Sequence, residues 1–334
     1  MSKHVVLWMW LGLAAAVGPL TTQAAVFKCP EAAGKVLFQD RPCEENAALT
    51  AAKGERPSAI ALQSARNLVW KASAPGGTVY FMGSIHFGTP EMYPLSPAVT
   101  QAFTHADALV VEADVLAVDP QQLAGIVADK AMYQDGSTLQ AALPPALWRR
   151  LTEITAGMGV PVSLLERQKP WFASMTLTAL ALRQNGFDEE LGVDYHFLKL
   201  ANQQRKRVIE LESVKQQLDL FDRFSQQEQV VMLEQTLDDI ARGPRFLREM
   251  LSAWKAGDET RLDDLLNEEY RTTKTAQRMY RILIVDRNAL MAGKIADMLR
   301  RGGTYFVVVG AGHLVGKESV VNLLRGKGYQ LEKL

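Results

Sequence analysis

Val79-Tyr80-Phe81-Met82-Gly83-Ser84-Ile85-His86 near the front of the chain and Tyr305-Phe306-Val307-Val308-Val309-Gly310-Ala311-Gly312-His313 near its end share one design. Each is a short apolar run that stops at glycine and delivers a histidine three residues later. A fully apolar run of this length suits a strand covered on both faces. In open α/β sheets, ligands sit in the crevice at the carboxyl ends of the strands, so both histidines are expected at one rim. A strand end that turns sharply into a loop needs positive φ or a close backbone approach, and glycine supplies either.

Working outward, Asn67–Ala72 and Thr78–Met82 read as a hairpin around Pro75-Gly76-Gly77. Ser96 as N-cap and Pro97 at the first helical position open a helix that runs to Ala106. Ala108–Val111 follows as a buried strand ending at Glu112, and strand–turn–helix–strand is the order a right-handed parallel crossover needs. Residues 119–202 are helical in pattern, clearest in Leu143–Thr155 and Pro170–Leu182; Arg207–Glu212 is a strand ending in an acid. Residues 213–301 are helical again, with breaks near Gly243-Pro244 and Gly257. After the second histidine a helix over Leu314–Arg325 and a strand around Tyr329–Leu331 close the chain. The expectation is one α/β domain over residues 66–334, with a mixed or parallel sheet, helices on both faces and a large helical insertion.

The chain has 334 residues with 37 basic and 37 acidic side chains, so no net charge steers it toward nucleic acid or an anionic membrane. Residues 1–25 have the layout of a signal peptide: Lys3 and His4, an apolar run from Val5 to Val17, then Thr22-Gln23-Ala24-Ala25. A periplasmic or secreted protein is expected. No later apolar run approaches the ~20 residues of a transmembrane helix, and no lipobox cysteine stands at the cleavage region. Residues 26–45 read as a small β-hairpin module around Gly34, similar to a domain that often follows signal peptides in Gram-negative bacteria, and residues 46–65 as a linker. The two cysteines, Cys29 and Cys43, suit a disulfide in an oxidising compartment better than a metal site. Chemistry elsewhere must then use histidine, carboxylate or hydroxyl.

Collecting strand ends gives His86, Glu112, Glu212 and His313. If the strands are parallel in one sheet, all four face one rim, and two imidazoles with carboxylates match a site for zinc or another divalent first-row metal. Such a metal activates water and polarises a carbonyl, so hydrolysis is the reaction expected. Glu112 also reads as a solvated strand terminus, with Asp114 the other acid of that loop, and Glu212 reads equally as an acid capping the helix that follows. Ser84 could orient a neighbour, but it lacks the setting of a nucleophilic serine. Asp194 and the Arg287-Asn288 pair are candidates around the metal or substrate, Arg287 as a carboxylate clamp. His105 reads as a bland residue on an exposed helix face, and His196, near Asp194, as a core residue or one that supports the site from behind. Gly310–Lys317 misses both nucleotide motifs: Val315 stands where the dinucleotide fingerprint needs glycine, and Ala311 and Glu318 break the P-loop.

These residues together resemble the TraB/GumN family, which includes the TIKI metalloproteases. The likeness rests on Gly83-Ser84-Ile85-His86, Val110-Val111-Glu112, Gly192-Val193-Asp194, Leu211-Glu212 with Gln216-Gln217-Leu218, Arg287-Asn288, and Val309 to Gly316. The resemblance implies an erythromycin-esterase/ChaN-like α/β fold. It implies a catalytic and metal centre of His86, Glu112 and His313, a divalent ion such as manganese or cobalt, and hydrolysis of peptide bonds in a peptide or protein substrate. The alternative it leaves open is a binding protein that holds haem or another ligand in the same crevice without turnover.

Overall fold

The computed structural model describes residues 67–334 and the backbone of two short strands ahead of them. Those two, β1 (Phe27–Pro30) and β2 (Val36–Gln39), pair antiparallel, with Phe27 opposite Gln39 and Pro30 opposite Val36. The expected signal peptide, the expected pairing of Cys29 with Cys43 and the expected linker lie outside the described residues.

The larger unit is built on a six-stranded mixed sheet of β3 (Val69–Ser73), β4 (Gly77–Ser84), β5 (Ala108–Val111), β6 (Arg207–Glu210), β7 (Gly303–Gly310) and β8 (Leu331–Lys333). Their order is β6-β5-β7-β4-β3-β8. β4, β7, β5 and β6 run parallel, while β3 pairs antiparallel with both β4 and β8. The apolar runs fall where a covered sheet needs them: all four residues of β5 and Tyr305–Val309 of β7 are buried. Parallel pairing fixes the rim. Met82 of β4 and Val111 of β5 are both level with Val308 of β7, and Glu210 of β6 is level with Val111. The segments following all four strands therefore emerge on the same side.

Helices cover the sheet and form the insertion. Those used below are α1 (Pro97–His105), α2 (Pro170–Gln184), α3 (Val193–Gln203), α4 (Val214–Asp219), α5 (Gln226–Arg242), α6 (Pro244–Ala256), α7 (Glu259–Asn267) and α8 (Asp286–Arg301). The insertion has a core of its own, with Leu151, Leu165, Leu177 of α2 and Leu233 and Leu237 of α5 each fully buried. A π-turn stretch, Arg281–Val285, leads directly into α8. Among the described residues no helix is long and apolar enough to cross a membrane.

The helix expected over Leu314–Arg325 is shorter than its pattern: it spans Val320–Gly326, capped by Ser319, whose Oγ accepts the Asn322 N–H at 3.2 Å. Gly316 at φ +85 interrupts the helical path, so Leu314–Ser319 remains a loop against the sheet rim. The last strand likewise lies one or two residues later than its apolar pattern, at Leu331–Lys333.

Candidate active site

Gly310 marks the centre of the rim. A methyl group placed on its Cα would lie 3.3 Å from Glu112 Oε1, 3.6 Å from His86 Nε2 and 3.7 Å from His313 Cδ2. Gly310 has φ −50, an ordinary value, so close approach rather than left-handed backbone is what requires glycine here. Around this point the structure gathers three side chains from three different strand ends. His313 and Glu112 are 3% and 7% exposed, and the His86 side chain 13%.

Each imidazole is held by its Nδ1. His86 Nδ1 is 2.6 Å from Asp194 Oδ2, and Asp194 Oδ1 accepts the Ser84 hydroxyl at 2.8 Å. Asp194 lies in the first turn of α3, and the start of that helix is docked on the first histidine turn: Val193 N–H donates to Ile85 O at 2.9 Å. Gly192 permits this, since a Cβ there would fall 2.0 Å from the His86 carbonyl. His313 Nδ1 is 2.6 Å from Asn288 Oδ1. Asn288 Nδ2 donates to Glu318 O at 2.8 Å, so its oxygen faces the ring and accepts the Nδ1 proton. His313 Nε2 then lies 3.7 Å from Glu112 Oε1, and His86 Nε2 faces the open side of Gly310.

Glu112 is tied on both oxygens. Oε1 accepts the Gly310 N–H at 2.7 Å; Oε2 accepts Arg287 Nη2 at 2.6 Å and Gln217 Nε2 at 3.1 Å. Arg287 reaches across to Glu212 as well, Nη2 to Oε2 at 2.7 Å and Nε to both oxygens at 3.0 Å. Its Nη1 donates to Leu283 O at 3.0 Å, inside the π-turn stretch. That wider turn precedes adjacent residues, Arg287 and Asn288, that both reach the site, one at each side of it.

The electrostatics follow from these partners. Burial alone would raise the Glu112 carboxyl, but protonated His313, Arg287, protonated His86 and the Gly310 N–H hold it well below the usual carboxylate range. Burial, with Arg287 close by, pushes His313 down to about 3 against the pull of Glu112, so this ring is neutral at physiological pH. Arg287 then becomes the cation that keeps Glu112 ionised. For His86 burial also lowers the pKa, but the Asp194 carboxylate, aided by Glu112, outweighs it and leaves the imidazole above its ordinary value.

His86, Glu112 and His313 are thus together, with Ser84, Asp194 and Asn288 bonded around them. The Glu212 carboxylate is joined to them through Arg287 and Gln217, its oxygens turned to the guanidinium, while its backbone N–H donates to Glu112 O at 2.7 Å. Asp114 points elsewhere, its Oδ1 accepting the Leu116 N–H of its own loop at 3.1 Å. His196 packs on the Tyr93 ring at 4.9 Å and His105 is an exposed residue at the end of α1. Two contributors had no site role assigned from sequence, although Gln217 belongs to the stretch that carries the family resemblance. Gln217, in α4, bridges Glu112 and Glu212, and Trp254 Nε1, from α6, donates to Gly83 O at 2.7 Å and pins the first histidine turn.

The donor chemistry fits a divalent metal: two imidazole Nε2 atoms, each with Nδ1 committed to an oxygen as metal-ligating histidines usually are, beside an ionised carboxylate. As placed, no three His, Cys, Asp or Glu side chains among the described residues stand as a ready-made metal-holding group. Glu112 Oε1 is already engaged by Gly310, and Glu212 by Arg287.

Comparison with known proteins bears on the same residues. The profile of the TraB/PrgY/gumN family matches residues 68–333. An Escherichia coli protein described as uncharacterized protein YbaP is 32% identical over 246 residues, 74% of this chain and 87% of its own. Metalloprotease TIKI2 of Xenopus tropicalis is 24% identical over 304 residues, 76% of this chain and 57% of its own, and Metalloprotease TIKI1 of Danio rerio is 24% identical over 303 residues, 76% and 60%. The chain therefore spans less than two thirds of either metalloprotease. No solved structure matches it.

Proposed function

The chain belongs to the TraB/PrgY/gumN family, and from that premise we propose that it is an exported metal-dependent hydrolase of peptide bonds, centred on His86, Glu112 and His313. The observation that carries this reading is the convergence of two Nε2-presenting imidazoles and one ionised carboxylate around the bare Cα of Gly310. The relatives named as metalloproteases support the reaction class, and the pattern of residues 1–25 supports export.

In this reading His86 and His313 hold the ion through Nε2 and Glu112 supplies the negative charge facing it. When bound, the metal would provide a Lewis acid able to polarise a carbonyl. The chain's own groups prepare the site. Arg287 keeps Glu112 ionised and binds Glu212 as well, so each buried carboxylate has a cation partner and the three groups together keep one net negative charge. Asp194 retains a proton at His86 Nδ1 and Asn288 does so at His313 Nδ1, leaving each Nε2 directed inward. Glu112, with its depressed pKa, is suited to remaining an anion rather than to collecting a proton near neutrality. The cavity at this rim is only about 30 Å³, which favours a small reacting group over a macrocycle such as haem.

Metal analysis and a peptide cleavage screen test the proposal together. Purified protein is expected to hold about one divalent ion and to cleave peptides, and His86→Ala and His313→Ala are each expected to abolish both. Unchanged metal content in both variants would remove the assigned ligands. Fractionation of cells expressing the full chain tests export separately.

A further inference from the structure

The small cavity at the rim has two unlike sides. One is the charged cluster. The other is apolar: Met250 of α6, Leu262 and Leu266 of α7, Ile85 of the first histidine turn and Ala311 of the second. These five are 2%, 0%, 5%, 4% and 6% exposed, so they form a fixed wall rather than a solvated lip. Two elements distant in sequence from the strand ends thus bring aliphatic side chains to the same cavity as the two imidazoles. Gly312 leaves the wall open between them, its missing Cβ facing Leu266 Cδ1 at 3.9 Å and Ile284 Cδ1 at 4.0 Å.

We propose that this wall is the side-chain subsite for the residue adjoining the scissile bond, and that it takes a small aliphatic side chain of the alanine or valine class. The proposal rests on the hydrolase reading above for the words scissile bond, while the ligand chemistry of the pocket rests on its own lining. Size sets one limit: the whole cavity, charged side included, is about 30 Å³, roughly two water-sized groups, so its apolar side suits a methyl or compact branched group and not an aromatic ring. Polarity sets the other. A lysine, aspartate or glutamine side chain held against leucine and methionine would lose water to a wall that offers no polar partner, whereas a methyl group gains from leaving water. The Met250 thioether gives the wall some adaptability without changing its polarity.

The experiment has two readouts on the full chain. In the first, peptides that differ at one position (Ala, Val, Phe, Lys or Asp) are compared by kcat/KM with metal-loaded protein. Ala and Val are expected to exceed the other three by tenfold or more, and Leu266→Ala is expected to move the preference toward Phe. In the second, protein carrying 13C-methyl methionine is titrated with N-acetyl-alaninamide and N-acetyl-lysinamide. The Met250 resonance, assigned among the twelve methionines with Met250→Leu, is expected to shift with the first only. This readout needs neither turnover nor a variant that tolerates a cavity. Cleavage with the same residue preference in wild type and Leu266→Ala, and no selective Met250 shift, would overturn the subsite and leave the hydrolase standing. A selective shift with no peptide cleaved would keep the subsite as a binding pocket and overturn the hydrolase. Neither cleavage nor shift would overturn both.

Discussion

Arg287 and Glu112, 175 residues apart in sequence, meet at 2.6 Å in the interior, with side chains 8% and 9% exposed. Because Glu212 takes the other side of the same guanidinium at 2.7 Å, removing the arginine strands two carboxylates at once. Loss of one partner from a buried pair costs about 3–5 kcal/mol, so Arg287→Ala is expected to lower the unfolding free energy read from urea titration by that order. Arg287→Lys keeps the charge but cannot fork to both acids and is expected to fall between. A double-mutant cycle with Glu212→Ala measures the coupling, and additive losses would show that the two side chains do not act as a unit.

The two histidines are expected to act in opposite directions on the stability of the metal-free protein. His313, at about 3 in the folded state against an ordinary 6.5, binds its proton only in the unfolded chain between those values. Stability should therefore fall as pH drops from 6.5 toward 3, by a few kcal/mol in all. His86 is raised in the folded state, so its contribution is complete below its unfolded pKa and is lost as pH rises through the folded value. Urea unfolding in chelator across pH 3–8 should show a flatter acid limb for His313→Gln than for wild type. Identical limbs would contradict the neutral, buried ring.

Asn288 is expected to matter through His313 rather than through the fold alone. Asn288→Ala removes the acceptor at Nδ1 and frees the ring to turn. Loss of such a partner typically weakens a metal site 10–100-fold. Asn288→Asp instead places a carboxylate at 2.6 Å from Nδ1, in the manner of Asp194 beside His86, and should raise the His313 pKa in an NMR titration. A weakened Asn288→Ala with an unmoved His313 pKa in Asn288→Asp would show that the hydrogen bond does not set the ring's protonation.

Much of this arrangement was legible in the sequence because it follows from strand ends. An apolar run that stops at glycine locates a covered strand and its rim, and parallel pairing brings the strand ends that precede His86, Glu112 and His313 to one rim without any further signal. What local pattern leaves out is whatever depends on two distant elements meeting. Trp254 on Gly83 O and Gln217 between two glutamates are ordinary helix residues by spacing. The π-turn stretch before Arg287 has no marker in its Arg-Ile-Leu-Ile-Val run. Glu212, at a strand end like Glu112, is set apart in sequence only by the helix it could cap, and the structure separates the two by turning its oxygens to Arg287. The Leu314–Ser319 loop was lost to a helical apolar pattern that Gly316 overrides through its φ of +85.

Gly310 and Gly192 offer the sharpest separation of site from scaffold. Gly310 has φ −50 and ψ 138, open to any residue, and the atoms nearest a Cβ there are side-chain atoms of the site, Glu112 Oε1, His86 Nε2 and His313 Cδ2, at 3.3 to 3.7 Å. Gly310→Ala is expected to fold with a midpoint within about 1 kcal/mol of wild type, in the range of mild substitutions. The methyl group occupies the space between Glu112 Oε1 and His86 Nε2, so metal affinity and cleavage should drop at least tenfold. Gly192→Ala is the converse: its Cβ would sit 2.0 Å from the His86 carbonyl, backbone against backbone, so α3 must move away from the first histidine turn. That variant should lose stability and site together. If Gly310→Ala retained full metal content and activity while folding normally, the glycine would not be the centre of the site, and the convergence of His86, Glu112 and His313 upon it would have no chemical consequence.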